Sequence, residues 1–198
     1  MSRARDIANF GDGIDTADIG DGQITTAKIA DGDVTSAKLF SGFANGITYA
    51  EQFNLESDVT TNNTVISNWA SINLTSNGKV GSGMSVSSGV FTFPSTGIYL
   101  INMQANMILQ NSPVDSQVNM ELDVSEDGTN FTTDEARAVA YNNESNIGTA
   151  SNNYMLDVTD TSLIKVRFRS DSLAGTSIIR GSTTQAITSV TFIRLGDT

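Results

Sequence analysis

An aliphatic residue recurs at every fifth position in the first part of this chain. The row runs through Ile14, Ile19, Ile24, Ile29, Val34 and Leu39. A period of five matches neither the two-residue period of a strand nor the 3.6-residue period of a helix. The segment therefore predicts a repeat structure rather than one regular helix or strand.

The repeat unit is ten residues long. Segments 21–30 and 31–40 both begin with Asp-Gly and share a threonine and an Ala-Lys pair, and segment 11–20 is a looser copy. The three units together hold six aliphatic side chains in thirty residues, which cannot bury enough surface to fold alone. We therefore expect a stem in which three identical chains pack their aliphatic rows together. The alternative is a disordered acidic linker, which would not need a regular aliphatic spacing.

From about residue 43 the pattern changes to the two-residue period of strands. Strands are predicted near 47–55, 64–72, 79–86, 89–93, 97–109, 116–125, 136–142, 152–158, 163–169 and 187–195. About ten short strands, without a helix long enough for a βαβ unit, favour an all-β sandwich. The expected organisation is an N-terminal arm over 1–10, the stem over 11–42 and a head over 43–198.

The stretch from Val80 to Val114 contains no charged residue. A sandwich strand of a monomer normally exposes one charged, solvated face. The predicted strands 89–93 and 97–109 lie in this stretch. We therefore expect both of their faces to be covered, or one face to lie against another subunit.

A fixed spacing of six residues lies within the uncharged stretch. Gly89, Phe91, Thr92, Pro94, Gly97 and Tyr99 form the pattern Gly-x-Phe-Thr-x-Pro-x-x-Gly-x-Tyr. This pattern resembles the central signature of C1q/TNF-like heads, and the ending around Phe192 resembles the final strand of that family. The resemblance implies a C1q/TNF-like jelly roll of about ten strands, assembled as a homotrimer and without catalytic activity.

The stem resembles a different group of proteins. Its Asp-Gly-x-Ile/Val-Thr-Thr/Ser-Ala-Lys repeats are similar to those of bacteriophage fibre and appendage proteins, and segment 2–9 is similar to the start of marine phage virion proteins. These resemblances imply a virion structural protein whose N-terminus binds other virion proteins and whose head binds a host-surface glycan or protein. The alternatives are a head fibre or capsid decoration protein and, more remotely, a glycan-degrading tailspike.

The composition limits the chemistry of the chain. It has no cysteine and no histidine, so thiol nucleophiles, histidine bases and the usual zinc ligands are missing. We expect no enzyme activity and no cofactor. The net charge of −11 disfavours nucleic acid as a partner. The sequence shows no apolar run of the roughly 20 residues that a membrane span needs. The start lacks a secretory signal, so assembly in a host cytoplasm is expected.

Acidic residues offer two candidate calcium sites. Asp12, Asp15, Asp18 and Asp21 recur every three residues in the stem and would cluster around a threefold axis. Solvated turn residues are the better explanation, because no calcium-binding loop pattern is present. Asp123, Glu126 and Asp127 surround a turn, for which a hairpin is again the better explanation.

Basic and aromatic residues offer the remaining candidate sites. Arg3 and Arg5 could anchor the arm on an acidic capsid or tail surface, or belong to a frayed terminus. Lys165, Arg167 and Arg169 share one strand face, which would suit an acidic glycan, the carboxylates of a neighbouring subunit, or simply a solvated surface. Trp69 and Tyr141 could stack on a sugar, although Trp69 is the better candidate for the core.

Overall fold

The computed structural model describes residues 46–71, 78–110, 115–141 and 147–198, together with Ile24, Thr25, Ile29 and Val34. The chain divides into two units, Met1–Asn45 and Gly46–Thr198. The described part of the second unit contains twelve β-strands and no helix. The predicted arm, with Arg3 and Arg5, lies outside the described residues, as does most of the predicted stem.

The strands of the second unit form two antiparallel six-stranded sheets that pack face to face. The first sheet has the order β9-β6-β12-β1-β3, with β11 beside the end of β6. Its strands are β1 (Tyr49–Leu55), β3 (Trp69–Ser71), β6 (Gly97–Ile108), β9 (Ile147–Val158), β11 (Ile178–Ile179) and β12 (Ser189–Gly196). The second sheet has the order β8-β7-β10-β5-β4, with β2 beside the end of β10. Its strands are β2 (Thr64–Val65), β4 (Ser85–Ser87), β5 (Val90–Thr92), β7 (Gln117–Ser125), β8 (Phe131–Tyr141) and β10 (Lys165–Asp171).

An aromatic cluster fills the space between the two sheets. Phe91 lies 5.1 Å from Phe192 and 5.6 Å from Phe168, measured between ring centroids, and Trp69 lies 5.5 Å from Phe168. All four side chains are buried. Tyr99 packs on Phe93 at 4.7 Å, and its hydroxyl donates a hydrogen bond of 3.0 Å to the carbonyl of Ser95. The signature residues Phe91 and Tyr99 therefore join the two sheets through one core.

The two signature glycines lie where no side chain fits. Gly89 has φ of +81°, and a Cβ there would lie 2.4 Å from the carbonyl oxygen of Ile66. Gly97 has φ of +138°, and a Cβ there would lie 2.4 Å from the carbonyl oxygen of Gly196. Both positions also combine a positive φ with a close backbone neighbour, which only glycine tolerates. Pro94 follows β5, where its missing amide hydrogen ends the ladder.

Several predicted strand boundaries need correction. The predicted strand 64–72 is two strands, because the chain pairs with β10 of the second sheet at Val65 and with β1 of the first sheet from Trp69. Strands β8 and β9 each begin five residues before their predicted starts at 136 and 152. Of the predicted strand 79–86 only Ser85 and Val86 belong to a ladder, as part of β4, and β11 is not among the predicted strands. These are edge or short segments, in which hydrophobic alternation is weak.

The alternation of apolar and polar residues in β7 predicts a strand with one solvated face, but both of its faces are buried. Val118, Met120 and Leu122 face the core as expected. The polar residues between them, Asn119, Glu121 and Asp123, are nevertheless buried as well. Long side chains from β10 cover this face, so the strand lies between apolar packing on one side and ion pairs on the other.

Candidate functional site

The outward face of the first sheet carries side chains that are almost all uncharged. Strand β6 alternates buried and outward residues, and the register of its partners extends that alternation across the sheet. We call the following set the uncharged face: Ala50, Gln52, Ile98, Leu100, Asn102, Gln104, Asn106, Thr149, Ser151, Asn153, Met155, Thr191 and Ile193. Charged residues at the border of this set include Asp157, opposite Ile98, Arg180, whose guanidinium contacts Asn106, and Arg194, whose guanidinium contacts Thr48.

One row of this face is apolar. Met155 pairs with Leu100, Leu100 with Ile193, and Ile193 with Ala50, so these four side chains form a line across four strands. Met155 is 64% exposed in the single chain. A continuous exposed apolar row is typical of a surface that binds a protein partner.

On one side of the apolar row, the next rows of the face consist of amides and hydroxyls. Asn153 pairs with Asn102, Asn102 with Thr191, and Thr191 with Gln52. The Asn102 amide donates to the Asn153 side-chain oxygen at 2.8 Å, and the Gln52 amide donates to the Ser189 hydroxyl at 3.2 Å. These bonds fix the side chains of the face before any partner binds.

The sequence predicts only part of this face. The uncharged stretch 80–114 identifies β6, one of its central strands. A second uncharged run, 145–156, covers most of β9. The two runs pair along their full strands, from Gly97 with Val158 to Ile108 with Ile147. The sequence signal for this face is therefore a pair of uncharged runs, 80–114 and 145–156, which contain β6 and most of β9.

The predicted basic face lies on the second sheet and is already paired with carboxylates. Arg167 Nε lies 2.9 Å from Asp123, and its guanidinium carbon lies 4.3 Å above the Phe131 ring. Arg169 contacts Glu121 and lies 3.4 Å from Asp123. Lys165 donates to the carbonyl of Gly128 at 3.1 Å. Binding of an acidic ligand by Lys165, Arg167 and Arg169 stays a prediction, and it would have to compete with these contacts.

Two buried carboxylates in the second unit are held by internal partners. Burial raises the pKa of Glu121, and the nearby Arg169 opposes that rise. Glu51 accepts hydrogen bonds from the Tyr49 hydroxyl at 2.8 Å, the Ser71 hydroxyl at 2.9 Å and the Met84 amide at 2.9 Å. Burial, together with the bond to Glu51, raises the pKa of Tyr49, so its hydroxyl keeps the proton that it donates. Glu51 thereby connects β1 to β3, through Ser71, and to the loop before β4, through Met84.

The remaining candidates in the second unit are separated from one another. Trp69 lies in the core, whereas Tyr141 is 65% exposed at the end of β8. Asp127 forms the predicted turn, because its side chain accepts hydrogen bonds from the amides of Thr129 and Asn130 at 2.9 and 2.7 Å. The hydrogen bond from the Asn130 side-chain amide, together with these two backbone bonds, lowers the pKa of Asp127 far below its usual range.

Three residues of the predicted stem row are described. Ile24, Ile29 and Val34 are 55%, 42% and 55% exposed, so their side chains are largely uncovered in the single chain. Ile14, Ile19 and Leu39 lie outside the described residues, as do the candidate calcium ligands Asp12, Asp15, Asp18 and Asp21. In the part of the chain that the structure describes, no group of three acidic residues is placed to hold a metal ion. No described helix is long and apolar enough to cross a membrane.

Comparison with known proteins finds similarity in structure and not in sequence. No protein-family model matches the chain, and no curated protein matches it. The structure of Eiger TNF from S. frugiperda matches with a TM-score of 0.59 and 12% identity, covering 78% of this chain and 96% of that one. Murine APRIL at pH 5.0 matches with a TM-score of 0.50 and 14% identity, covering 74% and 98%. The globular domain of zebrafish complement 1qA matches with a TM-score of 0.44 and 11% identity, covering 78% and 100%. The predicted fold class is therefore confirmed: the second unit is an all-β jelly roll of the C1q/TNF type.

Proposed function

We propose that this chain is a non-enzymatic structural protein that assembles as a homotrimer. The uncharged face of the first sheet carries this proposal. In a chain of net charge −11, a face with one apolar row and two rows of amides and hydroxyls is unsuited to permanent exposure. Identical chains that cover this face for one another would remove the apolar row from water without burying charge.

The aliphatic row of the stem supports the same proposal. Ile24, Ile29 and Val34 recur at five-residue spacing and are exposed in the single chain. Three such rows packed together would bury their side chains, which one chain cannot do. The stem and the uncharged face would then bring the same three chains together at two places.

A charge placed in the apolar row should weaken assembly. We expect Met155→Asp to raise the dissociation constant for self-association by about tenfold or more, since an unpaired buried charge costs several kcal/mol. Met155 is 64% exposed in the single chain, so the fold itself should remain intact. Sedimentation equilibrium across a concentration series measures the effect. Tyr141→Asp is the matched control, because Tyr141 is 65% exposed but lies on the second sheet. Equal effects of the two variants would contradict the proposed role of the face.

Changes in the stem should loosen the assembly without unfolding the head. We expect the combined variant Ile24→Ser, Ile29→Ser, Val34→Ser and Leu39→Ser to dissociate at lower temperature and at lower dilution than the original chain. The near-ultraviolet spectrum of the aromatic core should stay unchanged. Sedimentation velocity at rising temperature makes the comparison. An unaltered assembly with the same heat and salt resistance would refute the role of the stem.

We further propose that the assembly is a short virion fibre of a bacteriophage, bound to the particle by its N-terminus. The repeat pattern of the stem supports this origin. Host attachment through the head is the role that best suits a displayed trimer, since three copies give avidity on a repetitive surface.

A head fibre or capsid decoration protein is the second candidate. Labelling of intact particles distinguishes tail from capsid. Binding of the purified protein to host cells supports attachment, whereas weaker capsids after deletion support decoration. Release of reducing sugar from host glycans would instead establish a tailspike enzyme.

A further inference from the structure

Strand β9 is a long strand at an open edge of the first sheet. It spans Ile147–Val158 and, among the described strands, pairs only with β6. The strand contains no proline and no lysine, and Asp157 is its one charged residue. Long edges of this composition recruit further strands unless something blocks them. The edge of β9 that faces away from β6 therefore needs a device that keeps other chains from adding to it.

The backbone N–H and C=O of Asn153 point to that edge, away from β6. The Asn106 amide donates to the Thr188 hydroxyl at 3.0 Å, and the Asn106 carbonyl accepts from the Arg180 amide at 2.8 Å, so both groups of Asn106 point away from β9. The direction of the backbone N–H and C=O groups alternates from one residue of a strand to the next. Those of Asn102, four residues before Asn106, therefore also point away from β9. Asn102 and its partner Asn153 therefore form a pair without mutual backbone hydrogen bonds, so the backbone N–H and C=O of Asn153 point away from β6.

The side chain of Asn152 occupies this edge. Its oxygen accepts a hydrogen bond of 2.8 Å from the backbone N–H of Asn153. Its nitrogen donates a hydrogen bond of 3.0 Å to the backbone carbonyl of Arg137 on β8. Strand β8 is an edge strand of the second sheet. One amide side chain thus bonds to the backbone at the edges of both sheets.

The neighbours of Asn152 show that the two edges converge along one side of the sandwich. At one end a Cβ on Gly148 would lie 2.8 Å from the Cβ of Ala140, so the strands nearly touch. Two residues beyond Asn152, the Tyr154 hydroxyl lies 3.4 Å from the Glu135 carboxylate. Asn152 therefore lies in the middle of a seam where the sheets meet through side chains instead of a ladder.

We propose that Asn152 is an edge clasp: its side chain occupies one backbone N–H at the edge of β9 and one backbone carbonyl at the edge of β8 that an incoming strand would use. By blocking strand addition at this seam, the clasp prevents open-ended association of the head. The inference rests on the contacts of one chain and does not depend on the proposed trimer or on a virion origin.

Two variants at Asn152 test the clasp. We expect Asn152→Ala to speed hydrogen exchange of the residue 153 amide by about threefold to tenfold, the effect of losing one hydrogen bond. The same variant should form a concentration-dependent series of species larger than those of the original chain. Asn152→Lys should speed the exchange equally without forming the larger species, because an edge lysine itself blocks strand addition. Asn153→Ala is the control for exchange. It removes a side-chain amide next to the clasp but keeps the backbone N–H of residue 153 and both bonds of the Asn152 side chain.

The measurements are amide exchange by nuclear magnetic resonance and sedimentation velocity. Faster exchange together with larger species in Asn152→Ala, and faster exchange alone in Asn152→Lys, would support the clasp. Unchanged exchange in Asn152→Ala, or an unchanged size distribution in that variant, would overturn it. Because Asn152 is exposed, both variants should keep the melting temperature of the head within a few degrees.

Discussion

Replacing Arg169 by methionine is expected to lower the free energy of unfolding by about 3–5 kcal/mol, because it removes the cation from a buried ion pair. The guanidinium contacts the Glu121 carboxylate, lies 3.4 Å from Asp123 and donates a hydrogen bond of 2.6 Å to the side chain of Asn63. Glu121 and Asp123 are only 3% and 0% exposed, so water cannot replace the lost partner. Urea unfolding followed by tryptophan fluorescence measures the loss.

Two further variants make this prediction specific. Arg167→Met removes a cation from the same strand and face, but Arg169 remains beside Asp123. We expect a smaller loss of about 1–2 kcal/mol, because Glu121 keeps its partner, Arg169 still faces Asp123, and the stacking on Phe131 is lost. Glu121→Gln should also cost less than Arg169→Met, because burial already raises the pKa of Glu121 and so disfavours its charged form. A loss for Arg169→Met no larger than that for Arg167→Met would contradict the prediction that Glu121 depends on Arg169.

Replacing Tyr99 by aspartate is expected to abolish soluble expression. Tyr99 is fully buried in β6, and its ring packs between Phe93 at 4.7 Å and Tyr49 at 6.0 Å. An unpaired carboxylate at this position would cost several kcal/mol on top of the cavity, against a total stability of about 5–15 kcal/mol for a domain. The yield of soluble protein and the melting temperature measure the outcome.

Tyr99→Phe is the matched control for this position. It keeps the ring and removes only the hydroxyl that donates to the carbonyl of Ser95 at 3.0 Å. We expect it to express normally and to lose about 1 kcal/mol of stability. Normal yield and melting of Tyr99→Asp would mean that β6 does not lie in the core as described.

The sequence identifies the residues that pack and gives little information about the residues that pair. Phe91 and Tyr99 are predicted from a spaced signature, and Phe192 from the resemblance of the chain ending to a final strand. The three lie in one core, and Gly89 and Gly97 allow the tight returns beside Phe91 and Tyr99. Strand β6 was predicted almost to its last residue because its buried and outward positions alternate without interruption. Local pattern suffices where one face of a strand is consistently apolar.

Contacts between distant strands could not be predicted in the same way. Arg169 meets Glu121 only because β10 and β7 pair in one particular register, and sequence spacing does not encode that register. The seam at Asn152 depends likewise on where β8 and β9 approach each other. The first residues of β9, Ile147–Ser151, are mostly small or polar, so a strand at this edge lacks the apolar signal by which β6 was recognised.

The mass of the full chain in solution tests self-association most directly. Sedimentation equilibrium at micromolar concentration should give three times the 21.0 kDa of one chain, with the mass falling only on strong dilution. A well-folded species of 21.0 kDa at all concentrations would show that neither the uncharged face nor the aliphatic row needs a sister chain, and it would contradict the account.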